Sequence, residues 1–270
     1  MSEARIHPSA IVDPGAQIGN EVEIGPYSII GGQAVIGEKC VVQSHVVIEE
    51  AVRIGPENFI GHGTIIGAPP QDLSFKSQTK SAVEIGSGNV LREYCTIHRG
   101  VTEGSTTSIG DKNYLMVGTH LGHNCAIGKN VIIANNCLLG GYVQVGDGAF
   151  LGGGCVFHQF IRVGRLAITQ GGSAFSKDVP PFTIAALLNY VFGLNVIGLR
   201  RAGFEAKDRD EIKAAFKLIY SSGLNTRQAL EKAQTMRLGA AAREFFDFIA
   251  TAQKRGFCAL RRDAEENIST

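Results

Sequence analysis

Large aliphatic or aromatic residues recur every six positions through most of this chain, in two registers. Ile6, Val12, Ile18, Ile24, Ile30, Ile36, Val42, Ile48, Ile54, Ile60 and Ile66 form the first. Ile85, Leu91, Ile97, Ile109, Leu115, Leu121, Ile127, Ile133, Leu139, Val145, Leu151, Phe157 and Val163 form the second. A period of six is a multiple of two and not of 3.6, so it suits strands and excludes an amphipathic helix. A short fixed repeat also builds a solenoid rather than a conventionally patterned core. Each hexapeptide reads as one flat side and a corner. Three sides close a coil of 18 residues, and stacked coils form a parallel β-helix. The large residue fills the prism, and the Gly that often follows it, as at Gly19, Gly25, Gly37, Gly128 and Gly146, is expected to ease the corner. The slot four residues after each large one should point inward with little room. Ala10, Ala16, Ser28, Ala34, Cys40, Thr64, Cys95, Cys125, Cys137 and Cys155 occupy it. The hexads fill about eight coils, and less regular ends bring the prism to nine or ten. At roughly 4.8 Å per stacked strand its length is about 45 Å.

That slot accounts for five of the six cysteines, and only Cys258 lies outside the repeat. They read as small buried hydrophobes. No CxxC pair points to structural zinc or redox chemistry. Free thiols fit a reducing compartment. The N-terminus has no apolar signal core, and no apolar run could span a bilayer, so no transmembrane segment and a cytoplasmic location are expected. A formal net charge of +1 argues against a nucleic-acid partner. The charge is uneven: residues 1–199 hold 12 Lys/Arg and 15 Asp/Glu, residues 200–270 hold 14 and 10. The mildly basic end either meets an acidic partner or is a solvated helical surface.

The repeat is broken twice, and loops on a rigid scaffold are where function tends to sit. Ile66 and Ile85 are 19 apart, one residue out of register, around the polar stretch Ala68 to Lys76. The second break, Val101 to Ser108, follows His98-Arg99-Gly100 and keeps the register. After Val163 the pattern decays, and Asp178-Val179-Pro180-Pro181-Phe182 marks a boundary. Residues 1–180 are therefore expected to form the solenoid and residues 181–270 a helical C-terminal domain. Helices are expected over Asp208–Ser221, with Ile212, Phe216, Ile219 and Tyr220 on one face, over Thr226–Met236 and over Ala240–Lys254. Solenoids cap their ends and often bury a flat side by oligomerising, so a trimer is the default for a three-sided prism.

His120 and His123 flank the interior Leu121 at a corner. A zinc site is one use for such a pair; γ-class carbonic anhydrases bind zinc between subunits through three histidines, but with different spacing. General-base work suits the pair better, because an imidazole titrates near neutrality and can take a proton from an attacking hydroxyl or amine. Acyl transfer also needs donors for a developing oxyanion, and Gly140-Gly141 and Gly152-Gly153-Gly154 expose backbone N–H groups. Residues 18 apart stack, so His123 should lie beneath Gly141, and Gly141 beneath Gln159, with His158 beside it.

The ordered segments Gln71-Asp72-Leu73, Thr96-Ile97-His98-Arg99-Gly100, His120 to Cys125, Ala134-Asn135-Asn136, Val156 to Phe160, Asp178 to Pro181, and Phe192-Gly193-Leu194-Asn195 through Arg201-Ala202-Gly203-Phe204 carry a resemblance. The chain resembles the UDP-N-acetylglucosamine acyltransferases of lipid A biosynthesis over nearly its whole length. That resemblance implies a left-handed parallel β-helix; physical chirality alone favours right-handed crossovers. It also implies a homotrimer that takes a 3-hydroxyacyl chain from acyl carrier protein and passes it to the 3-hydroxyl of a UDP-sugar. This is the first step of lipid A synthesis, with no cofactor and no metal. His123 matches the general base and Gly141 the oxyanion donor. Asp72, His120, His158 and Gln159 match substrate contacts, Asn195 and Arg201 match nucleotide contacts, and Gly171 falls where acyl length is limited. Tyr142 follows the oxyanion glycine, where the family often has histidine. Ile197 replaces an acidic residue, Ala202 a second arginine and Ser74 a lysine, with Lys76 close by. Asn124 stands where aspartate is common. These departures leave open a different UDP-sugar, an amine acceptor on a 2,3-diamino sugar, or a non-catalytic trimeric relative.

Overall fold

The computed structural model describes residues 3–252 and 254–261. The hexads form a left-handed parallel β-helix whose three faces are sheets of stacked short strands. The first face carries Ile6, Ile24, Val42, Ile60, Leu91, Leu115, Ile133 and Leu151. Val12, Ile30, Ile48, Ile66, Ile97, Leu121, Leu139 and Phe157 lie on the second face. The third carries Ile18, Ile36, Ile54, Ile85, Ile109, Ile127, Val145 and Val163. From Ile24 onward every one of these side chains is buried, while Ile6, Val12 and Ile18 at the open N-terminal end are not. The small slot is buried as expected at Ala34, Cys40, Cys95, Cys125, Cys137 and Cys155. After the third face, three successive coils hold buried asparagines there instead, Asn58, Asn89 and Asn113. Asn89 Nδ2 donates to Asn58 Oδ1 at 2.9 Å, and Asn113 Oδ1 accepts from the Val131 N–H at 2.7 Å.

The glycine after each large residue does a different job from the one expected. Gly19, Gly25, Gly37, Gly128 and Gly146 have no left-handed φ. A Cβ on any of them would meet the next coil, for example the Gly55 carbonyl carbon at 2.5 Å from Gly37. Close approach between coils demands them. The left-handed residue sits two positions later, and it is often not glycine: Tyr27, His45, Tyr94, Asn124 and Tyr142 have φ between 58° and 61°. Such a conformation costs a non-glycine residue roughly 1–2 kcal/mol. Ring stacking down the corners offsets part of this, as in Tyr27–His45 at 5.2 Å and Tyr142–Phe160 at 4.7 Å.

The breaks are insertions into coils. Ile54 pairs with Ile85, Ile60 with Leu91 and Ile66 with Ile97. Each pair is 31 residues apart, so the first break adds 13 residues to one coil rather than slipping by one. The second adds six, since Ile97 pairs with Leu121. Both leave the prism at the corner between the second and third faces. They also touch: Gly104 N–H donates to the Lys80 carbonyl at 2.7 Å, and Ala82–Ile85 pairs with Thr106–Ile109.

The first face does not stop at residue 180. Thr183–Ala186 extends it in parallel, Tyr190–Leu194 folds back antiparallel, and Ala259–Leu260 adds a last strand. Among the described residues four helices follow the hairpin: α1 (Val196–Arg201), α2 (Ala206–Tyr220), α3 (Thr226–Gln234) and α4 (Ala240–Ala250). The hairpin and α1 have no hexad or helical periodicity to announce them, and α3 and α4 end earlier than expected. α2 buries Ile212, Phe216 and Ile219 against Phe245, Phe246 and Ile249 of α4. Residues 262–270 of the expected C-terminal domain lie outside the described residues. Arg162 ties the two parts together. Arg162 reaches Asp178 at 2.7 Å, lies over the Phe248 ring and donates to the Phe248 carbonyl.

Candidate active site

The second–third corner that is interrupted twice is also the corner that carries the histidines. His123 lies two residues past the interior Leu121, and Gly141 and Gln159 hold the same place in the next two coils. The packing is close: a Cβ on Gly141 would fall 2.5 Å from His123 Nε2. Among the described residues the Gly141 N–H donates to no protein acceptor, whereas Gly140 and Tyr142 donate to Phe157 and His123 carbonyls. An unpaired N–H thus stands beside the Nε2 edge of an imidazole, which is the pairing that acyl transfer requires.

His123 Nδ1 lies 3.0 Å from Asn124 Oδ1. The Tyr142 ring meets the His123 ring edge-on at 5.2 Å and stacks on Phe160. His120, on the second face, shares a hydrogen bond between its Nδ1 and Thr96 Oγ1 at 2.8 Å. Its ring meets His98 edge-on at 5.0 Å. His98 is buried, and burial with the neighbouring His120 charge pushes it down to about 4. Burial also lowers His120. Asp72 enters from the first insertion. The Ser74 hydroxyl and N–H both donate to its Oδ1, at 2.6 and 2.8 Å, and hold its carboxyl below the usual range; the His123 charge adds to this. Ser74, where lysine was expected, therefore orients Asp72. Arg99 braces the same loop by lying over Phe75 and donating to the Thr79 carbonyl at 2.9 Å. His158 and Gln159 are exposed above Gly141, with His158 Nδ1 3.1 Å from the Gln159 carbonyl.

The other expected contacts are elsewhere on the chain. Gly171 is exposed at the first–second corner, with Gly153 beneath it. Arg201 and Ile197 are exposed on α1. Asn195 is buried, with both ends of its amide hydrogen-bonded. Oδ1 caps α1 through the Gly198 N–H at 2.9 Å, and Nδ2 donates to the Leu166 carbonyl at 2.9 Å. It is the N-cap of α1 in this chain.

The fold is shared with known proteins. A profile for UDP N-acetylglucosamine O-acyltransferase, domain 2, matches residues 178–258, and one for bacterial transferase hexapeptides matches residues 3–37 and 106–141. The acyl-[acyl-carrier-protein]–UDP-N-acetylglucosamine O-acyltransferase of Burkholderia ambifaria is 46% identical over 259 residues, 93% of this chain and 98% of its own. This chain belongs to that O-acyltransferase family. Two solved family structures superpose throughout. The Francisella novicida UDP-N-acetylglucosamine acyltransferase gives a TM-score of 0.91 at 35% identity, with 97% of this chain and 96% of that one covered. The Bacteroides fragilis enzyme gives 0.87 at 39%, covering 93% and 99%. Within this O-acyltransferase scaffold, His98 is the site residue that motif reading left unassigned. One signal could have found it: Ile66, Ile97 and Leu121 are all second-face positions, so His98 leaves the same corner as His123.

Proposed function

We propose that this chain transfers an acyl group from acyl carrier protein to the 3-hydroxyl of UDP-N-acetylglucosamine, the first step of lipid A synthesis, with His123 as general base. The observation that carries the mechanism is the Nε2 edge of His123 against Gly141, whose N–H has no partner among the described residues. Nε2 takes the proton of the sugar hydroxyl as its oxygen bonds to the thioester carbonyl carbon. The carbonyl oxygen becomes an oxyanion and accepts from the Gly141 N–H. Collapse breaks the C–S bond, and the departing thiolate recovers the proton from the imidazolium. No bond to the enzyme forms. His120, Asp72, His158 and Gln159 surround this point and bind substrate, with Tyr142 as one wall.

Gly171 and the His123 corner lie on different edges of the prism, and Arg201 lies on α1. They can line one cleft when prisms pack side by side, which supports a homotrimer with sites between subunits. Sedimentation should then give three times the 28.8 kDa chain mass. Product mass spectrometry with acyl carrier thioesters and UDP-sugars tests the activity. His123→Ala should lower turnover by at least ~10²-fold while the trimer persists; near-normal turnover would sink the mechanism. Preferential acylation of a 3-amino analogue would instead assign an amine acceptor, a reading that Tyr142 and Ile197 keep in view.

A further inference from the structure

The second insertion, Val101 to Ser108, looks like a tolerated excursion, yet it grips the residue after the base. Val101 N–H donates to Asn124 Oδ1 at 2.9 Å, and Thr107 Oγ1 accepts the Asn124 N–H at 2.7 Å. The first contact decides which way round the amide lies. A backbone N–H only donates, so the atom facing it must be Oδ1 and cannot be Nδ2. His123 Nδ1 faces that same oxygen at 3.0 Å. An amide oxygen only accepts, so Nδ1 must carry the ring proton. In the neutral ring Nε2 then holds the lone pair, on the edge packed against Gly141.

The geometry points to Val101 and Asn124 as a tautomer lock, in which an insertion's backbone N–H fixes a neutral amide and the amide fixes the base. This rests on His123 being the base. A carboxylate at 124 would need no such lock, because both its oxygens accept and neither orientation is wrong. With asparagine, a flipped amide presents NH₂ to Nδ1, draws the lone pair there and leaves the proton on Nε2. The Val101 N–H is the element that prevents the flip, Thr107 holds the Asn124 backbone, and Asn124 is a positioning residue.

Imidazole ¹⁵N NMR of the trimer reads the tautomer directly, with the His123 signal assigned by its loss in His123→Gln. The wild type should show Nδ1–H. Val101→Pro deletes the donor; it should mix the tautomers and lower kcat about 10-fold, with KM for the sugar nucleotide unchanged. The decisive variant is Val101→Pro combined with Asn124→Asp. Its kcat should return to that of Asn124→Asp alone, since the carboxylate is indifferent to the lost donor. A merely structural loop would show equal losses in both backgrounds, and that result overturns the lock. So does a wild-type His123 in the Nε2–H form, or a Val101→Pro enzyme with an unchanged tautomer. The NMR result stands whether or not the chain transfers acyl groups, so failure of the lock and failure of the proposed activity are separable.

Discussion

Two successive corners of one coil use the same local code and reach different ends. Gly122-His123-Asn124 turns from the second face to the third, and Gly128-Lys129-Asn130 turns from the third to the first. Their asparagines have φ of 60° and 55°, and both glycines press on the coil above, at Gly141 N and Asp147 N. Above Lys129 stands Asp147, whose carboxylate accepts the Lys129 N–H at 2.8 Å, and Lys129 Nζ reaches Asp111 at 2.8 Å. Above His123 stands Gly141, which offers no side chain and leaves its N–H unpaired among the described residues. Insertions crowd the histidine corner and lend it Asp72 and the Val101 N–H. None reaches the lysine corner. The prism thus supplies a repeated frame in which, among the described residues, neither the Lys129 nor the Gly141 N–H finds a backbone acceptor, and the departures from repetition decide which turn becomes a site.

The comparison breaks most sharply if the histidine corner is made to resemble its neighbour. Gly141→Ala places a Cβ 2.5 Å from His123 Nε2. The ring must swing away from the unpaired N–H, so kcat should fall on the order of 10²-fold, the cost of spoiling one oxyanion contact. Steady-state kinetics beside an unchanged sedimentation profile check this. A second test asks whether the cleft uses more than one edge. Gly171 is exposed on another corner, so Gly171→Met should shorten the preferred acyl chain without abolishing transfer; product mass spectra across donor lengths read the shift.

Burial of His98 gives a third test, in stability. Its folded-state value of about 4 lies below the ordinary imidazole value of 6.5. Between those pH values the unfolded chain binds a proton that the folded chain does not, so stability rises with pH there. The contribution is complete above pH 6.5 and is lost as pH falls toward 4. His120 is lowered too and acts in the same direction. The thermal midpoint should drop on acidification from pH 7 to 4.5, and by less in His98→Gln.

How much of this was legible depended on whether periodicity or surroundings set the answer. The 18-residue coil stacks His123, Gly141 and Gln159 because pairing such as Leu121–Leu139 and Leu139–Phe157 is local and repeated. The buried cysteines follow for the same reason. The glycine role was misread because a period does not distinguish a tight corner from a tight stack. The tie of the Asn195 amide to the Leu166 carbonyl, 29 residues away, has no local pattern to announce it. His98 and Val101 gain their roles from insertions, whose path no repeat encodes.

The smallest expected effect belongs to the lysine corner, and it is the control for the whole comparison. Lys129 is well exposed and pairs with Asp111 at the surface, where solvent screens the pair and leaves it little weight. Lys129→Ala should leave kcat and KM within about twofold and move the denaturant midpoint only slightly, less at high salt than at low. A large loss of activity there would mean that the prism transmits changes between corners of one coil, and the histidine corner could no longer be treated as set by its own insertions. An unchanged enzyme would confine the chemistry to the one corner where Gly141, Asn124 and the Val101 N–H meet the imidazole.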